Sequence, residues 1–206
     1  MSNQQQTVLI FLFNEVEVLD FAGPFEVLSL AQKNNQPFFN VRTISETGEA
    51  IRARNGLTVL PDYSFDTWKG DADLVIIPGG YGAREIEIHN QKVLTWIQEV
   101  YERTNILASV CTGAFLLSEA GLLNGKAATT HWASLDRFEV DYPEVRVKRD
   151  VKFVDEGGIV TSAGISAGIN MAFHLVKKII GVESARETAK RMEYDILLLT
   201  KKANLQ

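Results

Sequence analysis

The sequence predicts an α/β protein in which helices cover both faces of a mostly parallel sheet. Short apolar runs recur along the chain, as strands buried on both faces require. Segments of helical character alternate with them, the pattern of a parallel sheet with crossover helices. The chain has 206 residues, 46% of them hydrophobic. That is enough for a substantial core, so residues 1–206 are expected to form one domain.

The elements follow in order. Thr7 to Phe13 (TVLIFLF) is a near-continuous apolar run and predicts the first strand. Asp20-Phe21-Ala22-Gly23-Pro24 follows a short loop, and Pro24 suits the first helical position of a segment running through Ala31. Phe39 to Ile44 predicts a second strand. Ile51 to Arg54 and Leu57 to Leu60 flank Asn55-Gly56, a strong hairpin signal. Leu74 to Ile77 predicts a buried strand ended by Pro78-Gly79-Gly80. Val93 to Tyr101 carries one apolar face and predicts a helix. Ile106 to Val110 predicts another strand, turning abruptly at Cys111 into a helix. Ala127 to Thr130 predicts a short strand with His131 at its end. Glu144 to Lys148 and Val151 to Val154 are weaker strand signals, and a turn at Asp155-Glu156-Gly157-Gly158 precedes a strand at Ile159 to Thr161. Ser166 is expected to cap a helix reaching Ile180, and Ser184 one from Ala185 to Tyr194. The ends, before Thr7 and after about Leu199, are expected to be loosely held.

Composition narrows the function. The formal net charge is -5 with no basic run, so nucleic-acid binding has little electrostatic support. No apolar stretch is long enough to span a bilayer, so no membrane role is expected. The start, Met1 to Gln6, lacks the basic and apolar regions of a signal peptide, and one cysteine forms no internal disulfide. The expected location is the cytoplasm. Three histidines and one cysteine argue against a Cys/His zinc site, and no phosphate-binding Gly-x-x-x-x-Gly-Lys-Ser/Thr loop is present. No metal or cofactor is expected.

Cys111 is the strongest lead. A thiol at a strand-to-helix corner points out of the sheet toward the amides that open the helix, as in a nucleophile elbow. The positive helix end favours an anion, so thiolate is expected to gain over thiol. A lone cysteine is also often a small buried apolar residue; its place at the carboxyl end of a strand, where open parallel sheets bind ligands, favours a reactive role. If the strand before Gly79 neighbours the one before Cys111, backbone N–H groups near Gly79 or Gly80 and at Thr112 would converge on an anion beside the sulfur, an oxyanion-hole arrangement. The dipeptide Gly79-Gly80 also reads as a simple tight turn. Asp20 lies at the same edge. Burial and a nearby thiolate would raise its pKa and let it serve as acid and then base, though a helix-capping role fits its spacing equally. His131 would polarise Cys111 or shape the pocket; beside Trp132 a structural role is the commoner one. His89 and His174 receive no role.

Several segments together resemble a known family. They are Leu19-Asp20-Phe21-Ala22-Gly23-Pro24 after Phe11-Leu12-Phe13, then Ile76-Ile77-Pro78-Gly79-Gly80, then Ser109-Val110-Cys111-Thr112-Gly113-Ala114. Ala120 to Lys126 and Ala128-Thr129-Thr130-His131-Trp132 follow, and Thr161 to Gly168 closes the series. In order and spacing these are similar to the DJ-1/PfpI (ThiJ-like) superfamily, and within it to the isonitrile hydratase branch. The resemblance runs from about Thr7 to Tyr194. It implies a flavodoxin-like, glutamine-amidotransferase-like three-layer sandwich, and a homodimer with the active site near the subunit interface. It implies Cys111 as nucleophile and Asp20 as its acidic partner, where other branches often place a glutamate. Thr112 matches the residue after the nucleophile in the isonitrile hydratase branch; PfpI-type peptidases carry histidine there, which weakens a Cys-His protease reading.

The expected substrate is then a small molecule, an isonitrile hydrated to an N-substituted formamide through a covalent thioimidate on Cys111, with Thr112 positioning substrate or water through its amide or hydroxyl. Two alternatives remain at this point. One is a glyoxalase-type enzyme acting on small reactive aldehydes. The other is a non-catalytic redox or ligand sensor, since similar domains form the amino-terminal half of AraC-type regulators. A helix-turn-helix module is not expected here, because the chain carries no basic helix and little beyond the matched segment.

Overall fold

Val8 to Phe11 are all buried, as the apolar run requires, and they form the core of β1 (Gln6–Phe11). The structure, a computed structural model, describes residues 5–195. Six further strands join β1 in one sheet: β2 (Phe39–Ser45), β3 (Tyr63–Ser64), β4 (Leu74–Ile77), β5 (Ile106–Val110), β6 (Phe153–Asp155) and β7 (Ile159–Ser162). Their order across the sheet is β6-β7-β5-β4-β1-β2-β3. All neighbours run parallel except β6 and β7. Every residue of β4 and β5 is buried, because helices cover both faces.

Those helices are α1 (Val18–Leu30), α2 (Tyr81–Glu85), α3 (Gln91–Tyr101), α4 (Gly113–Glu119), α5 (Leu135–Asp141), α6 (Ala167–Ile180) and α7 (Val182–Arg191). One layer packs α1, α6 and α7 together, and the opposite layer contains α2, α3 and α4. This is the expected three-layer, flavodoxin-like sandwich. β1 has β2 on one side and β4 on the other, so strand order reverses between β1 and β4. Ligands bind at the carboxyl edge of such a switch point. The loops after β1, β4, β5 and β7 all rise there.

Several boundaries differ from the expectations. α1 starts at Val18, so Pro24 lies inside the helix and Asp20 in its first turn rather than in a loop. Pro24 offers no N–H to the turn behind it, yet the buried Phe21, Val27 and Leu28 keep the helix against the core. The Asn55-Gly56 hairpin forms with shorter strands, Ile51–Arg52 against Thr58–Val59. Ala127–Ala128 pairs with Arg146–Val147 outside the main sheet, and the weak strand at Val151 to Val154 shifts to β6. Ser166 precedes α6 without a capping side-chain bond. Ser184 falls inside α7, which begins after Gly181; the positive φ of 104° at Gly181 ends α6 and starts α7. β3, α2 and α5 were not foreseen. Gln6 already belongs to β1; most of the two ends expected to be loosely held lies outside the described residues.

The turn from β5 into α4 passes under the end of β4. A Cβ on Gly113 would collide with the Ile77 carbonyl oxygen and sit 2.8 Å from that of Pro78. Both obstacles are backbone, so they cannot rotate aside. Gly113→Ala is expected to lower stability by about 3 kcal/mol. An unchanged urea midpoint would show that α4 can instead withdraw from β4.

Candidate active site

Cys111 follows β5 in a left-handed conformation, φ 55°, a strained state for any residue with a side chain. Bonds from distant segments to its backbone hold it there. Its N–H points at the carbonyls of Ser162 and Ala163, at 3.1 and 3.3 Å, at the end of β7. Its carbonyl accepts the Thr130 hydroxyl at 2.8 Å. Thr130 is buried, and the sequence marked it only as part of a motif. The elbow is thus clamped from two segments distant in sequence.

Asp20 reaches the same point from α1. Its side chain is fully buried, and Oδ2 accepts the Gly79 N–H at 3.1 Å. Oδ1 has no hydrogen-bond partner. It is therefore no helix cap; it faces the Cys111 thiol closely enough for each group to perturb the other's ionisation. Burial is the main cause that raises the Asp20 pKa, to about 7, against the opposing bond from Gly79. Near neutrality the carboxyl exchanges its proton, the property expected of it.

The thiol behaves otherwise than its helix position suggested. Burial first, and then the Asp20 carboxylate, push the Cys111 pKa up. The N–H groups of Thr112 and Ile165 face the sulfur and pull the other way without overcoming this. The resting group is a thiol. A seven-residue helix does not offset removal of the sulfur from water beside a carboxylate.

The expected oxyanion hole also changes. The Gly79 N–H is committed to Asp20, and the Gly80 N–H to the Thr112 hydroxyl at 2.9 Å. That hydroxyl in turn donates to the Gly80 carbonyl at 3.0 Å. Gly79 and Gly80 therefore build the site's frame. A Cβ on Gly79 would lie 2.5 Å from the Thr112 nitrogen and 3.0 Å from Asp20 Oδ2, so only glycine lets these segments meet. The amides that face the sulfur are those of Thr112 and Ile165. Ile165 has φ 49°, a clear outlier for a β-branched residue, and no role was assigned to it from sequence.

Cys111 opens into a cavity of about 470 Å³. Its wall includes Thr112, Gly80, His131 and Ile165, joined by Tyr81, Arg84, Arg54, Arg137 and Glu17. His131 Nδ1 accepts the Ala133 N–H at 3.3 Å, and no hydrogen bond joins the ring to Cys111. Partial burial and the nearby Arg84 charge lower its pKa. His131 thus shapes the pocket as a neutral ring. The arginines were missed because α2 was missed, and because only packing carries Arg54 and Arg137 to this edge. Among the described residues no group of three or more His, Cys, Asp or Glu side chains is arranged to hold a metal ion. No helix among them is long and apolar enough to cross a membrane.

The model of the DJ-1/PfpI family matches residues 6–178. Isonitrile hydratase of Pseudomonas putida is 32% identical over 183 residues, covering 89% of this chain and 76% of that protein. The HTH-type transcriptional regulator CdhR of Pseudomonas aeruginosa is 27% identical over 174 residues. That match covers 84% of this chain but 51% of the regulator, so this chain corresponds to about half of it. Among solved structures, a THiJ/PfpI family protein from Pseudomonas syringae superimposes with a TM-score of 0.84 at 21% identity, covering 98% of this chain and 80% of that one.

Proposed function

The chain belongs to the DJ-1/PfpI family, and from that premise we propose that it hydrates isonitriles to N-substituted formamides with Cys111 as nucleophile. The observation that carries this reading is the pairing of a resting thiol with a buried carboxyl, Asp20, whose pKa lies near 7. Isonitrile hydration needs one group that takes a proton from sulfur and returns it to carbon, and Asp20 is suited to both transfers. The similarity to an isonitrile hydratase and the Thr112 that follows the nucleophile support the same branch.

In this reading the Cys111 sulfur attacks the terminal carbon of R–N≡C. The thiol proton passes to Asp20 and from there to that carbon, giving the thioimidate R–N=CH–S–Cys111. The N–H groups of Thr112 and Ile165 stabilise negative charge on the sulfur as it forms. Asp20 then draws a proton from water as the oxygen adds to the carbon. The proton passes on to nitrogen, the C–S bond breaks, and the added hydroxyl gives up its remaining proton, which returns to the thiolate. The sum is one isonitrile and one water giving one formamide. Thr112 contributes its amide, because its hydroxyl is bound to Gly80.

The same reading takes the protein as a cytoplasmic homodimer. The purified protein is expected to release N-cyclohexylformamide from cyclohexyl isocyanide. Methylglyoxal consumption without formamide release would replace this reading with the aldehyde-directed one.

A further inference from the structure

Three guanidinium groups line the cavity beside Cys111, and they are not equivalent. Arg137 is fully engaged. Its Nε donates to Asp141 at 3.1 Å, Nη1 to Glu85 at 2.6 Å and Nη2 to the Arg84 carbonyl at 3.3 Å. Arg54 gives Nη1 to Glu15 at 2.8 Å and makes no other side-chain hydrogen bond among the described residues. The Arg84 side chain makes none. Its carboxylate neighbour is Glu85, 3.5 Å from Nε, and Arg137 already holds that carboxylate more closely.

Tyr81 fixes the two under-used arginines relative to each other. Its ring, which also lines the cavity, has the Arg54 guanidinium 5.6 Å and the Arg84 guanidinium 5.7 Å from its centre. The charge of Arg84 reaches the cavity, since it lowers the proton affinity of His131 across from it. The single acid in the wall is Glu17, whose charge is felt at both Asp20 and His131, against three guanidinium groups. The pocket therefore combines a proton-transfer end with a wall of guanidinium donors. Such donors match a planar carboxylate in a bidentate fashion.

We propose that the substrate carries a carboxylate, received by Arg84 and Arg54 beside Tyr81 while its neutral reactive end lies at Cys111. The identity of that reactive end rests on the hydratase reading; the carboxylate site does not.

Isocyanoacetate and isocyanoacetamide differ in this one group and test the proposal. The wild type is expected to show kcat/KM at least about tenfold higher for the anion. Arg84→Gln should bring the two within about threefold of each other. Arg103→Gln, at an arginine paired with Asp71 and outside this cavity, should keep the preference. Parity in the wild type, or a preference surviving Arg84→Gln, overturns the carboxylate site while leaving hydration intact. If neither compound is turned over, calorimetric binding to the Cys111→Ala protein decides. Tighter binding of isocyanoacetate that Arg84→Gln abolishes upholds the site without the hydratase reading; equal binding, or none, overturns it.

Discussion

A Cys111→Ala protein is expected to fold as the wild type does and to lose formamide production by roughly 10⁴-fold or more. Alanine keeps a Cβ, so the strain of φ 55° is unchanged, and the backbone bonds to Ser162, Ala163 and Thr130 remain available. Losing one buried sulfur costs about 1 kcal/mol. No neighbour replaces the nucleophile. The Thr112 hydroxyl is bound to Gly80, and His131 Nδ1 accepts from Ala133. Asp20 alone would act only on water. Single-turnover assays and thermal unfolding, run together, measure both halves. Turnover within tenfold of wild type would falsify the role of Cys111, whereas a collapsed Tm would expose a structural one.

Asp20→Asn is expected to slow formamide production and to stabilise the protein in alkaline solution. The folded carboxyl ionises near pH 7 against a model value of 3.8, chiefly because it is buried. Between about pH 4 and 7 the folded state therefore holds a proton that the unfolded state has released. Stability falls as pH rises through that window. The loss is absent below it and complete above it, on the order of 4 kcal/mol. Asparagine is neutral throughout and avoids the loss. The variant's Tm should exceed that of the wild type by roughly 5–10 °C at pH 8 and match it near pH 4. A Tm difference independent of pH would contradict the buried, proton-exchanging carboxyl.

Catalysis should respond in the opposite direction. The carboxylate form of Asp20 is needed to accept the thiol proton, so wild-type kcat/KM should decline as pH drops below about 7. The variant should lack that limb and run about 10²- to 10⁴-fold slower. An Asp20→Asn protein with near-wild-type rates would remove Asp20 from the mechanism. If both changes occur, the site carries a buried carboxyl that costs stability and serves the reaction.

The strand frame was legible because its signal is local. Runs such as Leu74 to Ile77 and Ile106 to Val110 are apolar throughout, and only strands covered on both faces call for that pattern. The corner at Cys111 was legible for the same reason: a buried strand meets Cys-Thr-Gly, and Gly113 is required where the chain passes beneath another backbone. Helix starts were less legible. Pro24 and Ser184 look like boundary residues, yet tertiary packing carries α1 and α7 past them.

From the sequence alone came the parallel α/β frame, the order of its loops, and the candidate set Cys111, Asp20, Thr112, Gly79, Gly80 and His131. Tertiary structure decided what each of these touches. Asp20 and Gly79 stand 59 positions apart, yet one hydrogen bond joins them. The amides of Gly79 and Gly80 proved to be occupied, leaving Thr112 and Ile165 to face the sulfur. The thiol is held neutral where a helix end alone argued for thiolate, and Arg84 enters the pocket on a short helix with no clear periodic signal. Hydrophobic period is written residue by residue along the chain. Ionisation and hydrogen-bond supply depend on burial and on partners, which exist only once distant segments have packed.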